Sequence, residues 1–360
     1  MKCLITGARG FVGSHLVEHL LKNTDWDIII FDKLSYSSIH KDRLTDIEIW
    51  EHEKHRVDFY SVDLTLPIPE GIKKEVGKVD YILHLAAESH VDRSIDEPRP
   101  FILNNVAATI TMLDYAREIK PKLFVNFSTD EVYGPAPGTE GSDGVHELVA
   151  KYPALKPMRS SMDIVNYGYP EFFYHHPSNP YSASKSAQEA IGIAYSNTYS
   201  VPVVTTHTMN IFGERQHPEK FVPMVIKKVL AGEEVTIHAD KTKTKAGTRF
   251  YLHARNLADA LLHIISKGYE GYDEWNIAGL EEVDNLTLAQ KIAQVVGKEL
   301  KYKMVDFHSS RPGHDLRYAL DSSKLINSGF NYAYDLKRSI GTTTNWYLDN
   351  KEWLDAKTLL

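Results

Sequence analysis

Five residues in two short stretches have side-chain types and spacings that point to one reaction. Ser128-Thr129-Asp130-Glu131 follows the apolar run Leu123-Phe124-Val125-Asn126-Phe127. Tyr181 and Lys185 lie four residues apart in Asn179-Pro180-Tyr181-Ser182-Ala183-Ser184-Lys185. On a helix they share one face. A tyrosine works as a general base only if its phenolic pKa drops far below about 10, and a nearby ammonium favours the phenolate. Adjacent carboxylates repel each other unless a partner or a proton relieves one of them. If their surroundings push their pKa values apart, one becomes an acid and the other a base. Either stretch alone is a weak signal, because acidic pairs usually sit in solvated turns and Tyr-x-x-x-Lys is common in helices. Together they give a proton acceptor, a lysine and an acid–base pair.

The elements that would position these groups are legible nearby. Cys3-Leu4-Ile5 breaks into Thr6-Gly7-Ala8-Arg9-Gly10-Phe11-Val12-Gly13, and a helical pattern follows with Leu16, Val17, Leu20 and Leu21 on one face. This strand, glycine turn and helix form a dinucleotide cradle. Gly7 supplies the tight turn, Gly10 lets backbone approach a pyrophosphate, and Gly13 lets the helix pack on the strand. The helix N-terminus then faces the phosphates. The next strand, from Asp27, ends in Asp32. A carboxylate there accepts both ribose hydroxyls of NAD and repels a 2′-phosphate, so NAD is favoured over NADP, although Lys33 stands beside it.

Further strands are expected at Val57–Val62, Tyr81–Leu85, Leu123–Phe127 and Val201–Thr206, with helices at Phe101–Lys120 and Pro180–Tyr199. Small Ala86 and Ala87 after the fourth strand would let a flat cofactor ring approach the backbone. Alternation of strand and helix predicts a Rossmann-type doubly wound parallel sheet, with ligands at the carboxyl ends of its strands. The second half reads as a smaller mixed α/β substrate-binding domain. It has helices at Val222–Ala231, Ala254–Lys267 and Leu288–Val296, short strands at Glu234–His238 and Trp275–Ala278, and an Arg-Pro-Gly turn at 311–313. The expected division is residues 1–207 for NAD and mainly 208–360 for substrate, some segments returning to the first domain. The segment 135–177 lacks clean periodicity and ends in a run of aromatic and histidine residues, which suits an inserted lid or a surface insertion with its own aromatic minicore.

Bulk properties narrow the classes. A net charge of −7 gives no reason to expect nucleic-acid or membrane-surface binding. No apolar run approaches the roughly 18 residues a spanning helix needs, and no leader precedes the first strand, so a cytoplasmic protein is expected. The single cysteine, Cys3, excludes a disulfide framework and multi-cysteine metal sites. His52-Glu53-Lys54-His55 lacks the spacing of the zinc motif H-E-x-x-H. No metal is expected.

The chain resembles the extended short-chain dehydrogenase/reductase family of nucleotide-sugar-modifying enzymes, and within it is most similar to the dTDP-glucose 4,6-dehydratases. The stretches HLAAESHVDRSI (84–95), STDEVYG (128–134), NPYSASKSA (179–187), HPEKFVP (217–223) and RPGHDLRYALD (311–321) carry the resemblance. It implies Glu131 as a C5 base, Asp130 as the acid at the C6 hydroxyl, and Thr129 and Tyr181 at the C4 hydroxyl, with Lys185 favouring the phenolate and able to hold a nicotinamide ribose hydroxyl. The expected cofactor site is Gly7, Gly10, Phe11, Val12, Gly13, Asp32, Lys33, Ser35, Asp63, Leu64, Leu85, Ala86, Ala87 and Asn104, with Tyr181 and Lys185. Ser89, Thr129, Asn210, Lys220, Arg249, Asn276, Arg311 and His314 are the expected handles for a nucleotide-diphosphate sugar. A homodimer through the helices Phe101–Lys120 and Pro180–Tyr199 is also implied. The chain departs from the subfamily pattern at Asn210-Ile211-Phe212-Gly213, at Phe250-Tyr251 after Arg249, and in the long 135–177 insert. These departures fall where nucleotide base and sugar would bind. A C4 epimerase or decarboxylase on the same fold, and a non-catalytic NAD-binding regulatory protein, are the alternatives.

Overall fold

The computed structural model describes residues 1–34, 42–134, 136, 168–307 and 316–355. Seven strands form its central sheet: β1 (Lys2–Thr6), β2 (Asp27–Asp32), β3 (Val57–Ser61), β4 (Tyr81–His84), β5 (Leu123–Thr129), β6 (Val203–Thr208) and β7 (Tyr272–Ile277). Their order is β7-β6-β5-β4-β1-β2-β3, and every neighbouring pair is parallel. The helices used below are α1 (Phe11–Asn23), α2 (Pro98–Ile119), α3 (Pro180–Tyr199), α4 (Phe221–Ala231), α5 (Ala254–Ile265), α6 (Asn285–Val296) and α7 (Leu336–Asp349).

A sheet covered on both faces needs strands that are apolar on both sides. Cys3 and Ile5 enter the core beneath α1 and α5, whereas Leu4 enters the opposite core beneath α2. Ile28 and Ile30 follow the first face, and Ile29 and Phe31 the second. Successive residues point to opposite faces of a strand, so uninterrupted apolar runs were a correct sign of a doubly covered sheet. A third core gathers Phe212, Val225, Ile237, Leu288, Ile292, Tyr347 and Trp353. It joins α4, α6 and α7 to a parallel strand pair, Val235–Ala239 with Tyr302–Asp306.

Helix α3 starts where local chemistry starts it. Asn179 caps the helix by accepting from the Ser182 N–H, the Ser182 hydroxyl bonds back to the Asn179 backbone, and Pro180 takes the first turn. The strand expected at Trp275–Ala278 runs from Tyr272 to Ile277 and completes the sheet beside β6. It belongs with the NAD-type sheet although it lies late in the chain. Of the 135–177 insert, only 136 and 168–177 are described, and the 311–313 turn lies outside the described residues. Among the described residues, no helix is long and apolar enough to cross a membrane.

Candidate active site

A cavity of 560 Å³ opens at the carboxyl ends of β1, β2, β4, β5 and β6, within the usual range of a small-molecule site. The glycine turn forms one wall. Gly7 has φ of 70°, and a Cβ there would lie 3.0 Å from the Ala86 Cα. A Cβ on Gly13 would lie 2.5 Å from both the Ala8 Cα and the Gly7 carbonyl oxygen. Only hydrogen fits these places, so the turn lies flat against the exit of β4. The Thr6 hydroxyl secures that exit by accepting the Leu85 and Ala86 N–H groups. Helix α1 begins after Gly10 with no side-chain cap. Its leading N–H groups suit an anionic phosphate.

Asp32 is buried at the end of β2 and faces the cavity. Its two carboxylate oxygens accept the Arg9 N–H at 3.1 Å and the Leu34 N–H at 2.8 Å. These bonds fix the carboxylate at the mouth of the cavity, where a ribose hydroxyl can meet it. Lys33 turns to Glu88 Oε1 at 3.0 Å and Asn104 Oδ1 at 2.8 Å. Its charge is therefore balanced by Glu88 rather than offered to a 2′-phosphate. Phe11, Val12, Asp63, Leu64, Leu85, Ala86, Ala87 and Asn104 also line the cavity. The residues present fit NAD. Ser35 lies outside the described residues.

The reactive groups converge at the end of β5. Thr129, Asp130, Glu131, Tyr181 and Lys185 all line the cavity. The Tyr181 phenol lies near the Thr129 hydroxyl, and that hydroxyl donates to Asp130 Oδ1 at 3.1 Å. The two carboxylates live in different surroundings. Asp130 is only 6% exposed, and its Oδ2 has no hydrogen-bond partner among the described residues. Burial, then the neighbouring Glu131, pushes the Asp130 carboxyl up to about 8. Glu131 is less enclosed and accepts a hydrogen bond at 2.8 Å from Asn179 Nδ2, at the cap of α3. Burial thus favours the protonated form of Asp130 near neutral pH, while Glu131 has a hydrogen-bond donor in Asn179.

The tyrosine–lysine pair departs from expectation. Burial, followed by the carboxylates of Glu131 and Asp130, raises the Tyr181 pKa. Burial lowers Lys185 to about 8, opposed by Glu189 one turn further along α3. Lys185 alone therefore does not make Tyr181 a base. The phenol loses its proton readily only where further positive charge lies nearby.

On the opposite wall, Ser89, Asn210, Lys220 and Arg249 line the cavity. The Arg249 guanidinium donates to the Thr248 and Leu316 carbonyls at 2.7 and 2.6 Å and stacks 4.2 Å over Tyr318. Asn276 does not line the cavity. It is fully buried, and its Nδ2 donates to the Tyr169 and Asp321 carbonyls, tying the described end of the insert to β7. Arg311 and His314 lie outside the described residues.

The wall also contains residues the sequence reading passed over: Arg43, His90, Glu219, Tyr251 and Tyr318. His90 and Glu219 sit in stretches already singled out, and their side chains meet across the cleft at 3.6 Å. Arg43 lies in a stretch without periodicity, and nothing local marks it.

Comparison with known proteins bears on this geometry. The model of the "NAD dependent epimerase/dehydratase family" matches residues 3–278. The dTDP-glucose 4,6-dehydratase 1 of Escherichia coli strain K12 is 32% identical over 371 residues, covering 99% of this chain and 95% of that one. The dTDP-glucose 4,6-dehydratase DesIV of Streptomyces venezuelae, solved with NAD bound, superposes with a TM-score of 0.81 at 28% identity, covering 99% of both chains. The UDP-glucose 4-epimerase of Thermus thermophilus, solved with NAD, shares the fold at a TM-score of 0.77 and 24% identity. The glycine cradle, the fixed Asp32 and the matched span agree: NAD is the cofactor of this cleft, and the chain belongs to the NAD dependent epimerase/dehydratase family.

Proposed function

We propose that the protein is a nucleotide-sugar 4,6-dehydratase, converting a nucleotide-diphosphate hexose to its 4-keto-6-deoxy derivative and water. The observation that carries this reading is the split carboxylate pair at the end of β5: Asp130 buried and proton-bearing, Glu131 bonded by Asn179. Oxidation at C4 alone needs no such pair. An elimination across C5 and C6 needs both members.

NAD, when bound against the glycine turn and Asp32, supplies the hydride acceptor for C4 and the hydride that ends on C6. Tyr181 takes the C4 hydroxyl proton while Thr129 holds the same oxygen. The resulting ketone acidifies the C5 hydrogen, which Glu131 removes. Asp130 gives its proton to the C6 hydroxyl, which leaves as water. Glu131 returns its proton to C5 as C6 is reduced. The proton gained by Tyr181 equals the one lost by Asp130, so the site resets by a single transfer, and hydride out and back leaves the cofactor oxidised.

The division of labour is residues 1–207 for NAD and mainly 208–360 for the nucleotide sugar, with Lys220 and Arg249 meeting the diphosphate. Charged forks suit that group. Helices α2 and α3 pack together and leave Ile102, Leu103 and Ile110 exposed. A second copy covering this face gives a homodimer, and a monomeric mass in solution would refute it.

The test is incubation with dTDP-, UDP-, GDP- and CDP-hexoses under mass detection. Loss of one water from one of them is expected. A new sugar of unchanged mass, resolved by chromatography, would make the protein an epimerase, loss of carbon dioxide from a nucleotide-linked uronic acid added to the panel a decarboxylase, and binding without product a regulatory NAD protein.

A further inference from the structure

We propose that His175, Glu189 and His207 form a binding site for one divalent transition-metal ion of zinc type, behind the catalytic wall and separate from the cleft. The three come from different elements: the segment leading into α3, the third turn of α3, and β6. Glu189 Oε2 lies 3.2 Å from His175 Nε2 and 3.0 Å from His207 Nε2, and the three ligand atoms all lie within 4.8 Å of one another. Ligands about 2.0–2.1 Å from a tetrahedral zinc ion are about 3.3 Å apart. The two edges to Glu189 are close to that spacing, and the third lies within 4.8 Å.

The surroundings support an ion there. Ser128 Oγ donates to Glu189 Oε1, which directs Oε2 to the imidazoles. Tyr133 Oη lies 3.2 Å from His207 Nδ1 and 3.3 Å from its Nε2, and packs the ring in place beside Glu189. Glu189 and His207 are fully buried, and both imidazoles converge on the one carboxylate oxygen of Glu189. The His175 side chain is 28% exposed and provides the entry route and an open position for water.

Two imidazoles and a carboxylate with a water position suit zinc and exclude magnesium or calcium, which prefer oxygen ligands. The ion would anchor the lead-in to α3, the segment that carries Asn179 and thereby steadies Glu131. Its role is structural, because none of its three ligands lines the cleft.

The test compares the intact chain with His175→Ala, both stripped with chelator and dialysed against zinc sulfate. The wild type should retain one zinc per chain by elemental mass spectrometry, and its cobalt form should show the visible bands of a low-coordinate site. His175→Ala should bind zinc at least tenfold more weakly. In chelator both proteins should melt alike, and zinc should raise the melting temperature of the wild type only. Zinc retained equally by His175→Ala would be adventitious and would overturn the site, as would a wild type that retains none. None of these readouts involves turnover, so the site stands or falls apart from the proposed reaction.

Discussion

At the scale of single residues, Asp130 and Glu131 differ by one position and by nearly everything around them. Asp130 is raised to about 8 by burial and then by Glu131. Folding therefore favours its protonated form, and stability falls as pH rises from the ordinary value of 3.8 toward about 8. Asp130→Asn keeps the shape and removes the ionisation. Its melting temperature should exceed that of the wild type by a margin that widens from pH 5 to pH 8 and then levels off. A pH-independent margin would mean that Asp130 is ionised in the fold. The same variant should lose about 10²–10⁴-fold in the elimination step, the worth of a positioned general acid, and the wild-type rate should fall as pH rises through about 8. Glu131→Gln separates the steps differently. It should form no dehydrated sugar yet still give some C4 oxidation, seen as NADH absorbance after substrate addition. Absence of that signal would remove Glu131 from its assigned role.

Helix α3 shows at the scale of elements how a cap becomes part of a site. The Asn179 carbonyl oxygen of the side chain accepts from Ser182, and its Nδ2 donates to Glu131. Asn179→Ala should cost about 1 kcal/mol of stability, the usual worth of an N-cap. It should also slow elimination more than C4 oxidation, because only Glu131 loses its donor. Rapid-quench assay of both steps checks this, and an equal loss in both would make the residue a cap only. The boundaries of α3 were readable in advance, since Pro180 and Asn179 are local start signals. So were β1 to β6, whose apolar runs end at turn residues. β7 was legible as a strand but not as a member of the sheet, because its partner β6 lies about seventy residues earlier and periodicity carries no information on pairing. Asn276 was misplaced for the same reason: the carbonyls it serves, Tyr169 and Asp321, come from segments that only the tertiary fold brings together. The glycine turn, Asp32, Thr129, Asp130, Glu131, Tyr181 and Lys185, all of which line the cavity or its rim, could be picked out because each is a residue type at a fixed local spacing. Arg43 and Tyr318 reach the cleft through long-range folding alone.

Across the whole molecule, the NAD-binding sheet and the segments after β6 are joined by buried charge. Glu18 on α1 pairs with Arg215, and with Arg255 on α5 at 2.8 Å, while Glu214 meets His15 at 3.2 Å and Arg255 at 3.3 Å. The same loop carries Gln216 and His217 in the cleft wall, and its Arg215 carbonyl accepts Arg43 Nε. Burial works against the Glu18 carboxylate, but Arg215 and Arg255 outweigh it and hold its pKa far below the ordinary 4.5. A carboxyl depressed on folding adds stability above its unfolded pKa and loses it as pH falls toward the folded one. Glu18→Gln leaves two arginines facing an uncharged amide, one of them only 3% exposed. Breaking a buried pair from one side costs about 3–5 kcal/mol, so urea titration at pH 7 should show a loss of that order. Below about pH 4.5 the wild type gives up the same contribution by protonation, and the gap between the two proteins should narrow. NAD affinity should fall with the stability at pH 7, because α1 carries the phosphate-facing turn at its other end. A variant as stable as the wild type at pH 7 would show that these charges fill space without joining the two parts, and the geometry of the cleft would then rest on the apolar cores alone.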